Sequence, residues 1–354
     1  MARFVLDEWL LYVESDHKIF ALTTRGLEAV SAGEMAALPG VIVTETAYRR
    51  VAATCERSFA PLLGLRTVDD VYLDVGMWEG IGHTRESLAA LQWYAAQIDL
   101  EAATEIIGGL RPLPPEPVFS ITASFVGRRN YSTDEIKKTV AEGIRSEYRW
   151  EYTADDRTAD LNLRIFMVHE LAYVGVRLGK HPLHERVYKV AERAGALKPP
   201  VAAAMLRLAE IVAGQRLIDP CCGSGTILIE AALAGAVAQG GDSDAEAVEA
   251  ARVNAQAAGV SIGIAQWDAR NLPLHAASVN CVVSNLPWGR QIAADEGLYQ
   301  GVCQEIERVL KPSGRALLLT SAPELLHFER LKLRKAIEIS LFGQTPTISV
   351  FEVQ

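Results

Sequence analysis

With 354 residues, 49% of them apolar and 22% charged, the chain has room for two or three cores and the composition of a folded globular protein. No apolar run approaches the roughly 18 residues of a membrane-spanning helix. Asp7 and Glu8 stand where a signal peptide has its basic start, and the five cysteines follow neither a disulfide framework nor zinc-ligand spacing. A cytoplasmic protein without a metal site is expected, and the net charge of -9 argues against a nucleic-acid partner for the chain as a whole, yet residues 116–200 carry 14 basic groups against 12 acidic.

In chain order, residues 18–24 read as a strand, 27–37 as a helix, and 41–46 and 71–75 as strands, a mixed α+β pattern. The run Arg111-Pro112-Leu113-Pro114-Pro115-Glu116-Pro117 is too rich in proline for a helix or a central strand and reads as an extended connector. Residues 118–125 alternate as a strand. Ser132, with Glu135 three residues on, forms a capping box for a helix running to about Tyr148. Residues 161–168 and 171–178 read as paired strands around His169-Glu170. A second break covers 179–200, where Gly179, Pro182, Gly195, Pro199 and Pro200 interrupt a charged stretch.

From residue 201 the pattern becomes a regular alternation. Helices are expected over 201–212, 227–233, 245–258 and 296–310, and strands over 216–219, 236–242, 261–265, 279–284 and 315–320. Such βαβ repetition implies an open, parallel, doubly wound sheet with its ligand at the carboxyl ends of the strands. The helix over 245–258 reads as a surface helix with Ala, Val and Asn at tolerant positions, closed by Gly259.

The residues that carry chemistry fall at those strand ends. In Asp219-Pro220-Cys221-Cys222-Gly223-Ser224-Gly225-Thr226, Gly223 and Gly225 allow close approach of a ligand and a tight entry into the next helix, whose N-terminal N–H groups favour an anionic group. Asp219 lies beside that ligand, and Asp242, ending the next strand, is placed to accept bonds from ribose hydroxyls. Asp268 is placed to accept from an exocyclic amine, with Trp267 or Leu272 over an adenine face. Downstream, Asn285-Leu286-Pro287-Trp288 offers two acceptors for a planar amino group, the Asn285 amide oxygen and the Leu286 carbonyl. Pro287 restricts Leu286 to extended geometry, and Trp288 offers a stacking face for a base. Each strand-end aspartate alone is more often a helix cap or a turn residue; three in register point to a nucleoside site.

On these motifs residues 201–354 resemble the Rossmann-like class I methyltransferases that use S-adenosylmethionine, in the branch carrying an Asn/Asp-Pro-Pro-aromatic motif. Residues 18–200 resemble the ferredoxin-like and THUMP domains of tRNA guanosine N2-methyltransferases. The matches are Thr23-Thr24-Arg25-Gly26-Leu27-Glu28, residues 125–131 with Arg128, Arg129 and Asn130, and Leu183-His184-Glu185-Arg186-Val187-Tyr188 ahead of Ala202-Ala203-Ala204-Met205-Leu206. The resemblance implies an α/β fold: a Rossmann-like methyltransferase domain over 201–354 after a ferredoxin-like region (1–65), a THUMP domain (66–180) and a linker (181–200). It implies S-adenosyl-L-methionine held by Asp219, Cys221, Gly223, Gly225, Thr226, Asp242, Asp268, Ala269 and Asn285, and catalysis by Asn285, Leu286, Pro287 and Trp288. It further implies a tRNA substrate, contacted by Arg128, Arg129, Lys137, Lys138 and Arg290, no metal, and N2-methylation at position six of the acceptor stem by a monomer. Leu286 departs from the family's first proline at a position that works through its carbonyl, and Val187 stands where relatives tend to have glycine. Ribosomal RNA guanine N2, adenine N6 in DNA, glutamine in proteins, and a non-catalytic RNA-binding assembly role are the competing readings.

Overall fold

The computed structural model describes residues 17–287 and 296–353, which form two compact units. The first takes in residues 17–22, Ala32–Leu65 and Asp70–Leu183, and the second Thr23–Ser31, Arg66–Asp69 and the chain from His184 onward.

The first unit is built on one seven-stranded sheet. Its strands are β1 (His17–Leu22), β2 (Val41–Ala47), β3 (Arg50–Cys55), β4 (Asp70–Trp78), β5 (Phe119–Phe125), β6 (Leu161–Val168) and β7 (Leu171–Arg177), in the order β2-β3-β1-β4-β7-β6-β5. All neighbours are antiparallel except β5 and β6. The sheet therefore runs unbroken across the boundary expected between residues 65 and 66. Helices α1 (Glu28–Ala36, divided between the units), α2 (Ser87–Ala95), α3 (Leu100–Gly108) and α4 (Thr133–Glu147) precede or connect these strands. The expected capping box is present: the Glu135 N–H donates to Ser132 Oγ at 3.2 Å, and the Ser132 N–H to Glu135 Oε2 at 2.8 Å. α4 buries Ile136, Val140 and Ile144, one stripe at helical spacing. His169 turns β6 into β7 at φ +53°.

The second unit holds the doubly wound sheet. Strands β8 (Arg216–Asp219), β9 (Val237–Asp242), β10 (Gly263–Gln266), β11 (Val279–Asn285) and β12 (Leu310–Thr320) are parallel, and β13 (Leu331–Glu338) and β14 (Thr347–Val353) close it in the order β10-β9-β8-β11-β12-β14-β13. β14 is antiparallel to both neighbours. Helices α5 (Pro199–Leu208), α6 (Thr226–Leu233), α7 (Ala245–Ala258) and α8 (Glu296–Val309) cover it. The period-2 alternation of the strands divides the core. Leu217, Cys281, Val283, Leu317 and Leu319 pack into one apolar cluster, and Ile218, Val282, Ala316 and Leu318 into another. Successive strands step away from β8 toward β10 on one side and from β11 outward on the other, so the order reverses between β8 and β11. A ligand crevice is expected at that switch point.

Several motif residues serve this scaffold. Arg186 and Tyr188 converge on buried Glu230 of α6, with Arg186 Nε at 3.1 Å and Tyr188 Oη at 2.7 Å from Oε1, while Arg66 holds Oε2 at 2.7 Å. Thr23 Oγ1 and Ser31 Oγ lie 2.8 Å apart, and both hydroxyls reach the Thr67 carbonyl. Asn254 corrects the reading of α7 as tolerant on its polar positions. It is buried and fully used, donating to the Ala191 and Ser224 carbonyls and accepting from the Val190 and Ala191 N–H groups.

Candidate active site

A cleft of about 550 Å³ opens at the switch point, lined by Pro220, Cys221, Gly223, Asp242, Asp268, Ala269, Asn285, Leu286 and Pro287 among others. A smaller chamber of about 90 Å³ shares Cys221, Gly223 and Asn285 with it and adds Asp219, Ser224 and Thr226. The strand ends thus bring together most of the residues read from the sequence.

The glycine loop sets the inner wall. Gly223 and Gly225 have φ of +51° and +81°, a region that side chains other than glycine's enter at a cost. A Cβ on Gly225 would lie 3.0 Å from that of Ala251, so glycine there also admits the packing of α7. Asp242 stiffens the loop, accepting from the Gly223 N–H at 2.9 Å through Oδ2 and from the Asp244 N–H at 3.1 Å through Oδ1. Ser224 Oγ is buried and, among the described residues, has no hydrogen-bond partner, where α6 begins. Such an orphaned hydroxyl costs stability unless a ligand satisfies it.

Asp219 is 1% exposed and accepts from Ser284 Oγ at 2.6 Å and from the Cys221 N–H at 3.1 Å. Burial raises its carboxyl to about 7 despite both hydrogen bonds, and nearby Asp242 adds to the rise. Burial, with the Asp219 and Asp242 carboxylates, also pushes the Cys221 thiol up, so it stays neutral and is no thiolate nucleophile. Asp268 is more exposed and held at about 2 by Arg270, whose guanidinium grips both carboxylate oxygens at 2.7–3.1 Å. An amine donated to Asp268 must share these oxygens with Arg270.

Trp267 and Leu272 do not cover the cleft as expected. Both are buried in the core; the Trp267 indole N–H donates to the Pro220 carbonyl at 3.0 Å and so supports the glycine loop from behind. Ala269, Ala247 and Leu298 supply apolar wall instead.

Asn285 closes β11 and lines both chambers. Leu286 is 2% exposed, buries its side chain in the core and gives its N–H to the Leu319 carbonyl at 3.0 Å, which leaves its own carbonyl as its polar group for the cleft. Pro287 is anchored by Tyr299 of α8, whose hydroxyl donates to the Pro287 carbonyl at 3.0 Å. Thr320 donates in turn to that hydroxyl at 2.5 Å. The sequence places Tyr299 within the helix expected over 296–310 and gives no sign of its partner. Trp288 and Arg290 lie outside the described residues.

Further contributors were not read from the sequence. Arg193, Ala194 and Gly195 line both chambers, and Arg193 pairs with Asp244 and Glu246. Phe342 and Gln344 also line the larger one. With Asp242, Asp244 and Asp268 against Arg193, the cleft carries an excess of negative charge, which favours a cationic ligand.

Of the expected RNA contacts, Arg128, Arg129, Lys137 and Lys138 belong to the first unit. Arg128 and Lys138 are exposed, and Lys137 pairs with Asp134 at 3.1 Å. Arg129 differs: its guanidinium donates to the carbonyls of Ile81, Gly82 and His169 and to Tyr131 Oη. It clamps loops together rather than standing open to a phosphate. Among the described residues no helix is long and apolar enough to cross a membrane, and no cluster of metal-ligating side chains occurs.

The UPF0020 family model, described as RMKL-like, methyltransferase domain, matches residues 186–339. A curated tRNA (guanine(6)-N2)-methyltransferase of Thermus thermophilus is 33% identical over 244 residues, covering 66% of this chain and 72% of that protein. The U6 snRNA (guanine-N(2))-methyltransferase THUMPD2 of Mus musculus is 31% identical over 205 residues, 56% of this chain and 38% of that protein. Among solved structures, TrmN from Thermus thermophilus superposes with a TM-score of 0.76 at 30% identity, over 95% of this chain and 99% of that one.

Proposed function

The chain belongs to the family of the tRNA (guanine(6)-N2)-methyltransferases, and we propose that it methylates the exocyclic N2 of a tRNA guanosine at position six of the acceptor stem. The observation that carries this reading is the placement of Asn285 and Leu286 in one cleft with the glycine loop, Asp242 and Asp268. An acceptor pair for an amino group thus sits beside a nucleoside site.

The cleft suits S-adenosyl-L-methionine on its own chemistry. Its carboxylates match a cation, and the unpartnered Ser224 hydroxyl at the start of α6 offers a donor to the amino-acid end. Asp242 would hold the ribose, Asp268 and Ala269 the base, and Asp219, Cys221, Gly223, Gly225 and Thr226 the inner wall. When bound, the cofactor supplies an electrophilic methyl group on a sulfonium.

The residues of the chain do the rest. A guanosine in a stem must leave its stack to enter such a cleft. Asn285 Oδ1 and the Leu286 carbonyl accept the two N2 hydrogens and fix the nitrogen, and Trp288 offers the base a stacking face. Holding a reactive pair in line supplies about 7–11 kcal/mol of barrier lowering at the upper end of measured cases. No strong general base is needed, because the proton leaves a nitrogen that has already become cationic. The THUMP-like part of the first unit grips the single-stranded 3′ end of the tRNA.

Incubating the protein with labelled methyl donor and tRNA, ribosomal RNA or DNA tests this, followed by mass spectrometry of the digested tRNA. N2-methylguanosine at position six of tRNA is expected. Labelling of ribosomal RNA or DNA alone, or of nothing, would discard the reading.

A further inference from the structure

Between β13 and β14 the chain makes a tight turn, Leu341-Phe342-Gly343-Gln344. Two backbone hydrogen bonds of 3.0 Å close it, from the Leu341 N–H to the Gln344 carbonyl and from the Gln344 N–H to the Leu341 carbonyl. Phe342 and Gly343 have φ of +52° and +75°. Two positive values in succession make a type I′ turn, whose first central position suits Asn, Asp or Gly. Phenylalanine there is sterically unfavourable, and its ring is also left 55% exposed to water. The turn does not relax, because Leu341 beside it is 2% exposed and anchored in the core.

Five non-glycine residues among those described have positive φ: Arg49, His169, Glu210, Ala277 and Phe342. Phe342 alone of these lines the cleft that holds Asn285, Leu286 and Pro287. Gln344 lines it too, and among the described residues its side-chain amide makes no hydrogen bond. A bulky residue kept in an unfavourable conformation at a reaction cleft points to a role in the reaction.

We propose that this turn recognises the target base: Phe342 stacks on the guanine, and the Gln344 amide hydrogen-bonds to its edge. The proposal rests on the reading of the site as a guanine N2-methyltransferase. Asn285 and Leu286 fix the amino nitrogen within the plane of the base, and Trp288 offers that base one stacking face. A second ring, that of Phe342, holds the plane against tilting, and with it the direction from which N2 meets the methyl group. The glutamine amide, a donor and an acceptor together, complements guanine O6 and N1–H. An extruded base has lost its neighbours in the helix, and an aromatic face replaces them.

The test compares wild type, Phe342→Gly, Phe342→Tyr and Gln344→Ala on a tRNA whose methylated nucleotide has been mapped. Phe342→Gly should lower kcat/KM for tRNA by about 10- to 100-fold, the size expected for loss of one base–aromatic stack. Cofactor affinity should stay within twofold, and Tm should hold or rise, since glycine accepts the positive φ without strain. Phe342→Tyr should keep most of the activity, and Gln344→Ala should lower it by about tenfold or more, as for the loss of two hydrogen bonds. Wild-type kcat/KM in Phe342→Gly overturns the inference and leaves the methyltransferase reading in place. A fall in activity that tracks a fall in Tm or in cofactor affinity also overturns it, by showing a structural role. No tRNA methylation by wild type overturns the underlying reading instead.

Discussion

Asp219 and Asn285 lie at the ends of adjacent strands, and their environments give them opposite tasks. Asp219 is buried beneath the glycine loop with its carboxyl raised to about 7, chiefly by desolvation. In the unfolded chain it titrates near 3.9. Between these values the folded state binds the extra proton, so the stability that Asp219 contributes is complete below about pH 4 and is lost as pH rises through about 7. Asp219→Asn keeps an acceptor for Ser284 and Cys221 and removes the charge. Its Tm should match wild type below about pH 4 and exceed it increasingly from there to pH 8; a mutant that melts lower at pH 8 would show that the carboxylate itself holds the loop. The task proposed for Asn285 is chemical. Asn285→Ala should reduce turnover by about 100-fold or more while leaving cofactor and tRNA affinity near wild type, because misplacing the nitrogen raises the barrier without loosening the complex. Equilibrium binding beside single-turnover rates separates the two effects.

At the scale of elements, the motif after β11 is held from α8 and β12. The Ala322 N–H donates to Thr320 Oγ1, Thr320 to Tyr299 Oη, and Tyr299 to the Pro287 carbonyl, a chain of hydrogen bonds that ends on the backbone beside Leu286. Tyr299→Phe leaves two buried acceptors or donors unsatisfied and should cost about 1–3 kcal/mol of stability. It should also lower kcat several-fold with KM for the cofactor unchanged; an unaltered kcat would mean that Pro287 needs no anchor. The strands and helices from β8 to β12 were legible because each repeats a buried run followed by an amphipathic one. β13 and β14 were not read. β13 carries Lys332, Arg334, Lys335 and Glu338 along the edge of the sheet, where charges protect an unpaired strand and blur its alternation. Its turn has Phe342 where Asn or Asp would have announced a hairpin. The strand-end aspartates could be read because chain order places them in register. Asn254, Trp267 and Tyr299 could not, since each acts through polar atoms whose partners are 12 to 64 residues distant in the chain.

For the molecule as a whole, the open question is how a chain of net charge -9 binds RNA. The stretch over 116–200, the one with a positive balance, supplies α4, β5, β6 and β7 of the first unit and carries Arg128, Lys137 and Lys138. Its basic groups are not equivalent. Arg129 is committed to three carbonyls and a tyrosine hydroxyl, so Arg129→Ala should lower the Tm, and any loss of RNA binding would follow from unfolded loops. Arg128 and Lys138 are exposed and make no ion pair among the described residues, which leaves them open to phosphates. Phosphate contacts set position and release counterions, so the double variant Arg128→Ala, Lys138→Ala should bind tRNA more weakly and with a shallower salt dependence. For a single-stranded 3′ end the slope of log K against log salt should fall by about 0.7 for each phosphate that is no longer neutralised. Its Tm and its cofactor affinity should match wild type. A tRNA trimmed of its 3′ end should be methylated poorly by wild type and little worse by the double variant, since the segment these side chains are proposed to grip is already absent. Titrations from low to moderate salt decide the matter: an unchanged slope, with equal methylation of trimmed and full-length tRNA, would mean that these two charges are merely solvated and that RNA is gripped elsewhere on the chain.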